Sequence, residues 1–183
     1  MAHRFTGAGL RYSGITFAGS IGSTGDFHTI TGNIIGFGNF LGTANTVISG
    51  SDSTFRGIEI PAANNATSTV IQGNMISGID QTTAFVGNFS GAAGFIAIDA
   101  IGANFQRAPL CNISANTIGS LDGSSSIVLH PSTGANWFVG GIRGSNTAST
   151  ISGNQMGAIS IQATTSNIGF RGEIRFNESI KAW

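Results

Sequence analysis

Charge is scarce in this sequence. Asp, Glu, Lys and Arg make up 9% of its 183 residues, where a soluble domain usually carries about 25%. Lys+Arg and Asp+Glu are both 8, so the formal net charge is zero. That excludes the basic footprint of a nucleic-acid binder and any acidic tail. The single lysine, Lys181, fits generic anion binding poorly. Proline occurs only 3 times and cysteine once. One cysteine excludes an intramolecular disulfide and a cysteine-rich metal site. Cys111 lies in an apolar segment and is expected to be a buried small hydrophobe. No run of about 18 apolar residues marks a transmembrane helix, so no membrane insertion is expected. The opening MAHRFTGAGLRYSG lacks the apolar core of about 7–15 residues that a signal peptide needs.

Low charge does not make this chain disordered, because 40% of it is hydrophobic and disorder needs low hydrophobicity with high net charge. Glycine is abundant, at 28 residues. Solubility must come from Ser, Thr, Asn and Gln. That balance suits many tight turns and rows of uncharged polar side chains.

Four segments share one pattern: TITGNIIGFG from Thr29, VIQGNMISGI from Val70, NISANTIGSL from Asn112 and TISGNQMGAI from Thr150. The shared asparagines, Asn33, Asn74, Asn116 and Asn154, lie 41, 42 and 38 residues apart. Glycine precedes three of them, and Ala115 takes its place in the third copy. Between these segments runs a second pattern: LRYSGITFAG from Leu10, FRGIEIPA from Phe55, GFIAIDAIG from Gly94, WFVGGIRG from Trp137 and FRGEIRFN from Phe170. Repetition at this period is the mark of a solenoid.

The repeats read as β. Apolar residues alternate, as at Ile58 and Ile60 or Ile96 and Ile98, and the frequent glycines would each cost a helix interior about 1 kcal/mol. In a parallel stack, like residues fall above like residues, so the four asparagines should form a ladder at a turn. Asparagine tolerates the left-handed conformation that a sharp bend requires, and its amide can bond to the amide in the next coil. The flanking apolar residues, Ile30 and Ile34, or Val70, Met75 and Ile79, are expected to fill the interior in columns.

The I-x-G-N-x-I-x-x-I pattern followed by a G-I-x-I strand resembles the repeats of right-handed parallel β-helix proteins of the pectin-lyase-like kind. It is most similar to the long, low-charge repeat regions of large secreted bacterial surface proteins. The resemblance covers roughly residues 9 to 177. It implies one all-β domain over 1–183, a right-handed parallel β-helix of about four to five coils of roughly 40 residues. The units would be 9–50, 51–93, 94–135 and 136–177, with 178–183 as a tail or cap. It also implies an extracellular or cell-surface place within a larger exported protein. The fold hosts enzymes, phage spikes and adhesin stalks alike, so it does not choose among functions.

Candidate chemistry is thin. The acids are Asp26, Asp52, Glu59, Asp80, Asp99, Asp122, Glu173 and Glu178. A glycoside hydrolase needs two carboxylates about 5–10 Å apart. Glu59 and Asp99 sit in corresponding strands, and Arg143 and Arg175 occupy similar positions in the next two. The column Glu59, Asp99, Arg143, Arg175 is either a solvated face of weak charge pairs or a polar groove for an acidic sugar. The resemblance to pectate lyases implies calcium held by several carboxylates, which two acids do not supply. His3, His28 and His130 lack metal-ligand spacing, and no serine elbow, P-loop or dinucleotide fingerprint occurs. No cofactor or metal is expected. Phe85, Phe89, Phe105 and Trp137, in or beside the variable loops, either cover the sides of the coil or form a sugar-stacking platform. The sequons at Asn65, Asn88, Asn112 and Asn177 arise by chance in such a composition. Thr29, Thr31, Thr69 and Thr150 fall short of the regular threonine columns an ice-binding face needs.

The N-terminus shows no capping helix, and only NESIKAW, through Ile180 and Trp183, offers a cap. Open coil ends expose strand edges, so self-association or neighbouring β-helix segments are expected partners, with polysaccharide as a further candidate. The leading reading is a non-enzymatic structural or adhesive segment. A phage-spike-like protein, a carbohydrate-active enzyme (lyase or glycoside hydrolase) or binding module, and an ice binder stay open.

Overall fold

A computed structural model describes residues 4–7, 9–17, 28–37, 44–60, 67–84, 93–100, 110–121, 127–131, 137–144, 148–162 and 168–175. Among them there are 18 β-strands and no helix. β1 (Arg4–Thr6) comes first. Residues 9–50 hold β2 (Arg11–Thr16), β3 (Thr29–Thr31), β4 (Ile34–Ile35) and β5 (Thr46–Gly50). Residues 51–93 hold β6 (Thr54–Glu59), β7 (Thr69–Gln72), β8 (Met75–Ile76) and β9 (Ile79–Thr83). Residues 94–135 hold β10 (Phe95–Ala100), β11 (Cys111–Ser114), β12 (Thr117–Gly119) and β13 (Ile127–Pro131). Then come β14 (Trp137–Gly144), β15 (Thr150–Ser152), β16 (Gln155–Gly157), β17 (Ile159–Ile161) and β18 (Ile168–Arg175).

These strands form four sheets in which each sheet takes every fourth strand. Sheet I is β1-β5-β9-β13-β17, sheet II is β2-β6-β10-β14-β18, sheet III is β3-β7-β11-β15 and sheet IV is β4-β8-β12-β16. All strand pairs within them are parallel. The chain therefore visits the sheets in strict rotation. Equivalent residues of successive repeats stack at the strand spacing of about 4.8 Å.

Stacking turns the repeat into columns. In sheet III, Ile30, Ile71, Ile113 and Ile151 are in register. In sheet IV the column is Ile35, Ile76, Ile118 and Met156. In sheet I, Thr46, Ile79, Ile127 and Ile159 align. All but Thr46 belong to the main core or pack against it. The expected inward set needs correction here. Ile30 and Ile79 are buried, but Ile34 is 69% exposed and Val70 and Met75 are half-buried. Ile34 and Met75 precede the buried Ile35 and Ile76, and Val70 precedes Ile71. Alternation thus turns them to the other face of their sheets.

The asparagine ladder runs through the turn between sheets III and IV. Asn33 donates to the Asn74 side-chain oxygen from its backbone N–H and its Nδ2, at 3.0 and 2.9 Å. Asn74 does the same to Asn116, and Asn116 to Asn154, at the same distances. Each Nδ2 also donates backwards, from Asn74 to the Ile30 carbonyl, from Asn116 to Ile71 and from Asn154 to Ile113, each at 2.9 Å. The left-handed residue of this bend is not the asparagine, as the sequence suggested, but the residue before it. Gly32, Gly73, Ala115 and Gly153 have φ of 66°, 64°, 54° and 63°. The bend occupies the glycine position, and the asparagine supplies the bond between layers.

Candidate functional site

Sheet II carries the buried charge of the described residues. Strict alternation along β6 would put Phe55, Gly57 and Glu59 on one face. Yet Phe55 and Ile58, three positions apart, both lie in the main core. The strand changes face at Gly57. The registers of sheet II place Gly14, Ala97, Gly141 and Gly172 at the same level. A Cβ added to Gly14 would stand 2.7 Å from the Gly57 carbonyl oxygen, and one on Gly57 or Gly141 would collide with the carbonyl oxygen of Ala97 or Gly172. Small residues mark such a bend, where backbones approach closely. Its consequence is that Arg56 and Glu59 come to share the face turned away from the main core.

There they join a chain of charges across four strands. Arg11 on β2 pairs with Glu59 Oε1 on β6 at 3.0 Å, and the Ser13 hydroxyl donates to Glu59 Oε2 at 3.0 Å. Arg56 on β6 donates from Nε to Asp99 Oδ2 on β10 at 2.9 Å. Arg143 on β14 reaches the same carboxylate from the other side, Nε to Oδ1 at 3.0 Å and Nη2 to Oδ2 at 2.6 Å. Arg56 Nη1 donates to the carbonyls of Phe55 and Ala93 at 2.8 and 3.0 Å. Arg56, Asp99, Arg143 and Glu59 are all buried. Burial pulls the Arg56 guanidinium down to about 10, with the Asp99 charge opposing the shift. Arg143 Nη1 is buried without a partner among the described residues, as are the Tyr12 hydroxyl and Gln81 Oε1.

The structure thus brings together three of the four residues of the expected column. Asp99 is in register with Glu59 and with Arg143. Arg175 is not in that column: it pairs with Gly144, and Ile174 pairs with Arg143. Nor is the column solvated. It is a buried network, whose central carboxylate is held by two guanidinium groups. Arg56, Arg11 and Ser13 were missed by the sequence reading. For Arg56 the signal was the recurrence of Phe-Arg-Gly at residues 55–57 and 170–172, a charge set beside glycine in an apolar strand.

The chemistry open to this arrangement is limited by its bonding. A glycosidase sets two carboxyl groups around one scissile bond. Here both oxygens of Asp99 accept from arginines, and both oxygens of Glu59 accept from Arg11 and Ser13. The network ties β2, β6, β10 and β14 together.

Elsewhere, His130 Nε2 lies 3.3 Å from Asp80 Oδ1 on sheet I, and His28 stacks on Phe17 with ring centroids 4.1 Å apart. Among the described residues, no three His, Cys, Asp or Glu side chains gather as a metal site. Asn112 lies exposed in β11. The exposed Thr29 is in register with Val70, Asn112 and Thr150, and Thr31 with Gln72, Ser114 and Ser152, so threonine does not run through either column. Thr69 is buried. His3, Asp26, Asp122, Glu178, Asn65, Asn88, Asn177, Phe85, Phe89, Phe105, Ile180 and Trp183 lie outside the described residues. The Trp137 backbone lies in β14.

No protein-family model, no curated protein and no solved structure matches this chain.

Proposed function

We propose that this chain is a right-handed parallel β-helix serving as a non-enzymatic structural or adhesive segment of a bacterial surface protein. The strict rotation of the chain through four parallel sheets supports the β-helix. The hand follows from the right-handed preference of crossovers between parallel strands. The observation that carries the structural role is where the polar chemistry goes. The buried carboxylates and guanidinium groups of sheet II pair between strands, and the asparagine amides pair between layers. These groups hold layers together, and both oxygens of Glu59 and of Asp99 are taken up in bonds between strands. The low charge, and the likeness of the repeats to those of secreted surface proteins, support the cellular setting.

The test is incubation of the purified chain with a panel of acidic and neutral polysaccharides. Reducing ends and unsaturated uronic products are measured alongside equilibrium binding. The expected result is no turnover of any polymer. Binding to one polysaccharide without turnover would make the role adhesive rather than purely structural. Release of sugar products by this chain would overturn the reading.

A further inference from the structure

Sheet I carries little charge. Among its described residues the charged ones are Arg4 on β1 and Asp80 on β9, and His130 on β13 adds an imidazole. Arg4 and Asp80 are both in register with Val47, so the whole of β5 separates them. His130 is therefore the cationic or imidazole side chain nearest to Asp80 among the described residues of this sheet.

Alternation sets Asp80, Thr82, Val128 and His130 on one face of the sheet, opposite the buried Ile79, Gln81, Ile127 and Leu129. His130 is in register with Thr82, and Asp80 with Val128. The two are thus diagonal neighbours, within reach of long side chains. Across the gap between the strands, His130 Nε2 and Asp80 Oδ1 stand 3.3 Å apart, with 34% and 37% of the side chains exposed.

That separation is long for a bond between these groups, since a charge-assisted N–H···O bond spans about 2.7–2.9 Å. It is the right separation for two ligands of one tetrahedral ion. Zinc lies about 2.0–2.1 Å from an imidazole nitrogen and about 2.0–2.2 Å from a carboxylate oxygen, which at the tetrahedral angle sets the two donors about 3.3–3.5 Å apart. Imidazole suits zinc and its neighbours, whereas calcium and magnesium take oxygen ligands.

We propose that Asp80 Oδ1 and His130 Nε2 bind a zinc ion between them. His130 takes part as the neutral imidazole with its proton on Nδ1, and Asp80 as the carboxylate. Two protein ligands leave two positions of the tetrahedron to water, which the exposure of the pair admits. The ion links β9 to β13 from the outer face of sheet I, away from the charge network of sheet II. The proposal needs only the register of these two strands, so it is independent of the polysaccharide reading above. The two residues lie far apart in sequence without metal-ligand spacing, and the stacking of the repeats brings them together.

The test is calorimetric titration of the chain, without a polyhistidine tag and stripped with EDTA, with Zn²⁺. One ion should bind at this pair. His130→Ala should remove it, Asp80→Asn should weaken it by about tenfold or more, and His3→Ala and His28→Ala should leave it unchanged. Excess Ca²⁺ or Mg²⁺ should not displace it. Zn²⁺ should raise the melting temperature of the wild type and not that of His130→Ala, because an ion held by the folded pair stabilises by mass action. Both positions are partly exposed, and circular dichroism checks that the variants fold. Four results would each overturn the proposal: no uptake of Zn²⁺ by the wild type, His130→Ala binding like the wild type, Asp80→Asn binding with full affinity, or displacement of the ion by Ca²⁺.

Discussion

Arg56 and Asp99 meet across adjacent strands of sheet II with 2.9 Å between Nε and Oδ2, and neither side chain is more than 3% exposed. They are not in register. Arg56 lies opposite Ile96, and Asp99 lies opposite Glu59. Their meeting depends on the change of face at Gly57, which brings position 56 round to the side of position 59. A backbone irregularity thus sets the electrostatics of the sheet.

Removing one member of such a cluster is costly, because the remaining charges stay buried. Asp99→Asn leaves Arg56 and Arg143 without their counter-charge and is expected to destabilise the fold by about 3–5 kcal/mol. Glu59→Gln should cost less, about 1 kcal/mol, because its partner Arg11 is half exposed and solvated. Urea denaturation at low and high salt separates the two. The loss from Asp99→Asn should persist in 1 M salt, whereas that from Glu59→Gln should shrink. Equal losses would mean that the two pairs are equally buried in solution.

The asparagine ladder gives a graded expectation. Asn74 is fully buried between two neighbours, while Asn33 is half-buried at one end. Asn74→Ala leaves the Asn33 N–H and the Ile30 carbonyl without their acceptor and donor. A buried unsatisfied group costs about 1–3 kcal/mol, so a loss of about 2–4 kcal/mol is expected. Asn33→Ala, where water replaces the lost partner, should cost under about 1 kcal/mol. Melting curves that rank the two the other way would remove the ladder as a source of stability.

Much of this architecture was legible because a parallel stack repeats its chemistry in sequence. The asparagines of four segments were visible as a series, and the structure bonds them in that series. Alternation was less informative. Reading Ile34 and Met75 as interior failed because the turn at Gly-Asn resets which residue faces inward, and in both segments the next isoleucine is the one buried. The charged column failed in part for the same kind of reason. Glu59, Asp99 and Arg143 could be aligned by counting, but Arg56 could not be placed beside Asp99 without knowing that the strand changes face at a glycine. Arg175 was misplaced by one position: β18 sets Phe170 opposite Val139 and Ile174 opposite Arg143, so Arg175 falls opposite Gly144. Gln81, buried in register with Ile48 and Leu129, gave no sequence signal. It donates to the Ser53 and Gly94 carbonyls at 3.2 and 3.1 Å.

Ala115 offers a stabilising substitution. It holds φ of 54° where the other three repeats have glycine. A left-handed conformation costs an L-residue about 1–2 kcal/mol relative to glycine, partly offset by the greater freedom of glycine when unfolded. Ala115→Gly should therefore raise stability by about 0.5–1 kcal/mol. The reverse change, Gly73→Ala, should lower it by a similar amount, since a Cβ there meets nothing within 4 Å and only the backbone strain remains. Thermal melts of the two variants should move in opposite directions. A shift of the same sign in both would mean that the bend differs between the repeats.

Cys111 supplies a pH dependence whose sign follows from its surroundings. Its thiol is buried in the core, and burial pushes its pKa up from 9.0 to about 12. The unfolded chain ionises first, so between pH 9 and 12 the folded state holds the proton that the unfolded state has lost. Stability from this group is fully present below pH 9 and falls as pH rises towards 12. Three units correspond to a loss of about 4 kcal/mol. Cys111→Ala lacks this ionisation, so subtracting its stability profile from that of the parent isolates the contribution of the thiol. The difference should be flat at neutral pH and decline above 9. At neutral pH the same burial should make labelling of Cys111 by a thiol reagent slow in the folded protein and fast in urea, following the unfolded fraction. Rapid labelling without denaturant, together with a flat difference profile, would show that the core opens at β11 far more readily than its burial implies.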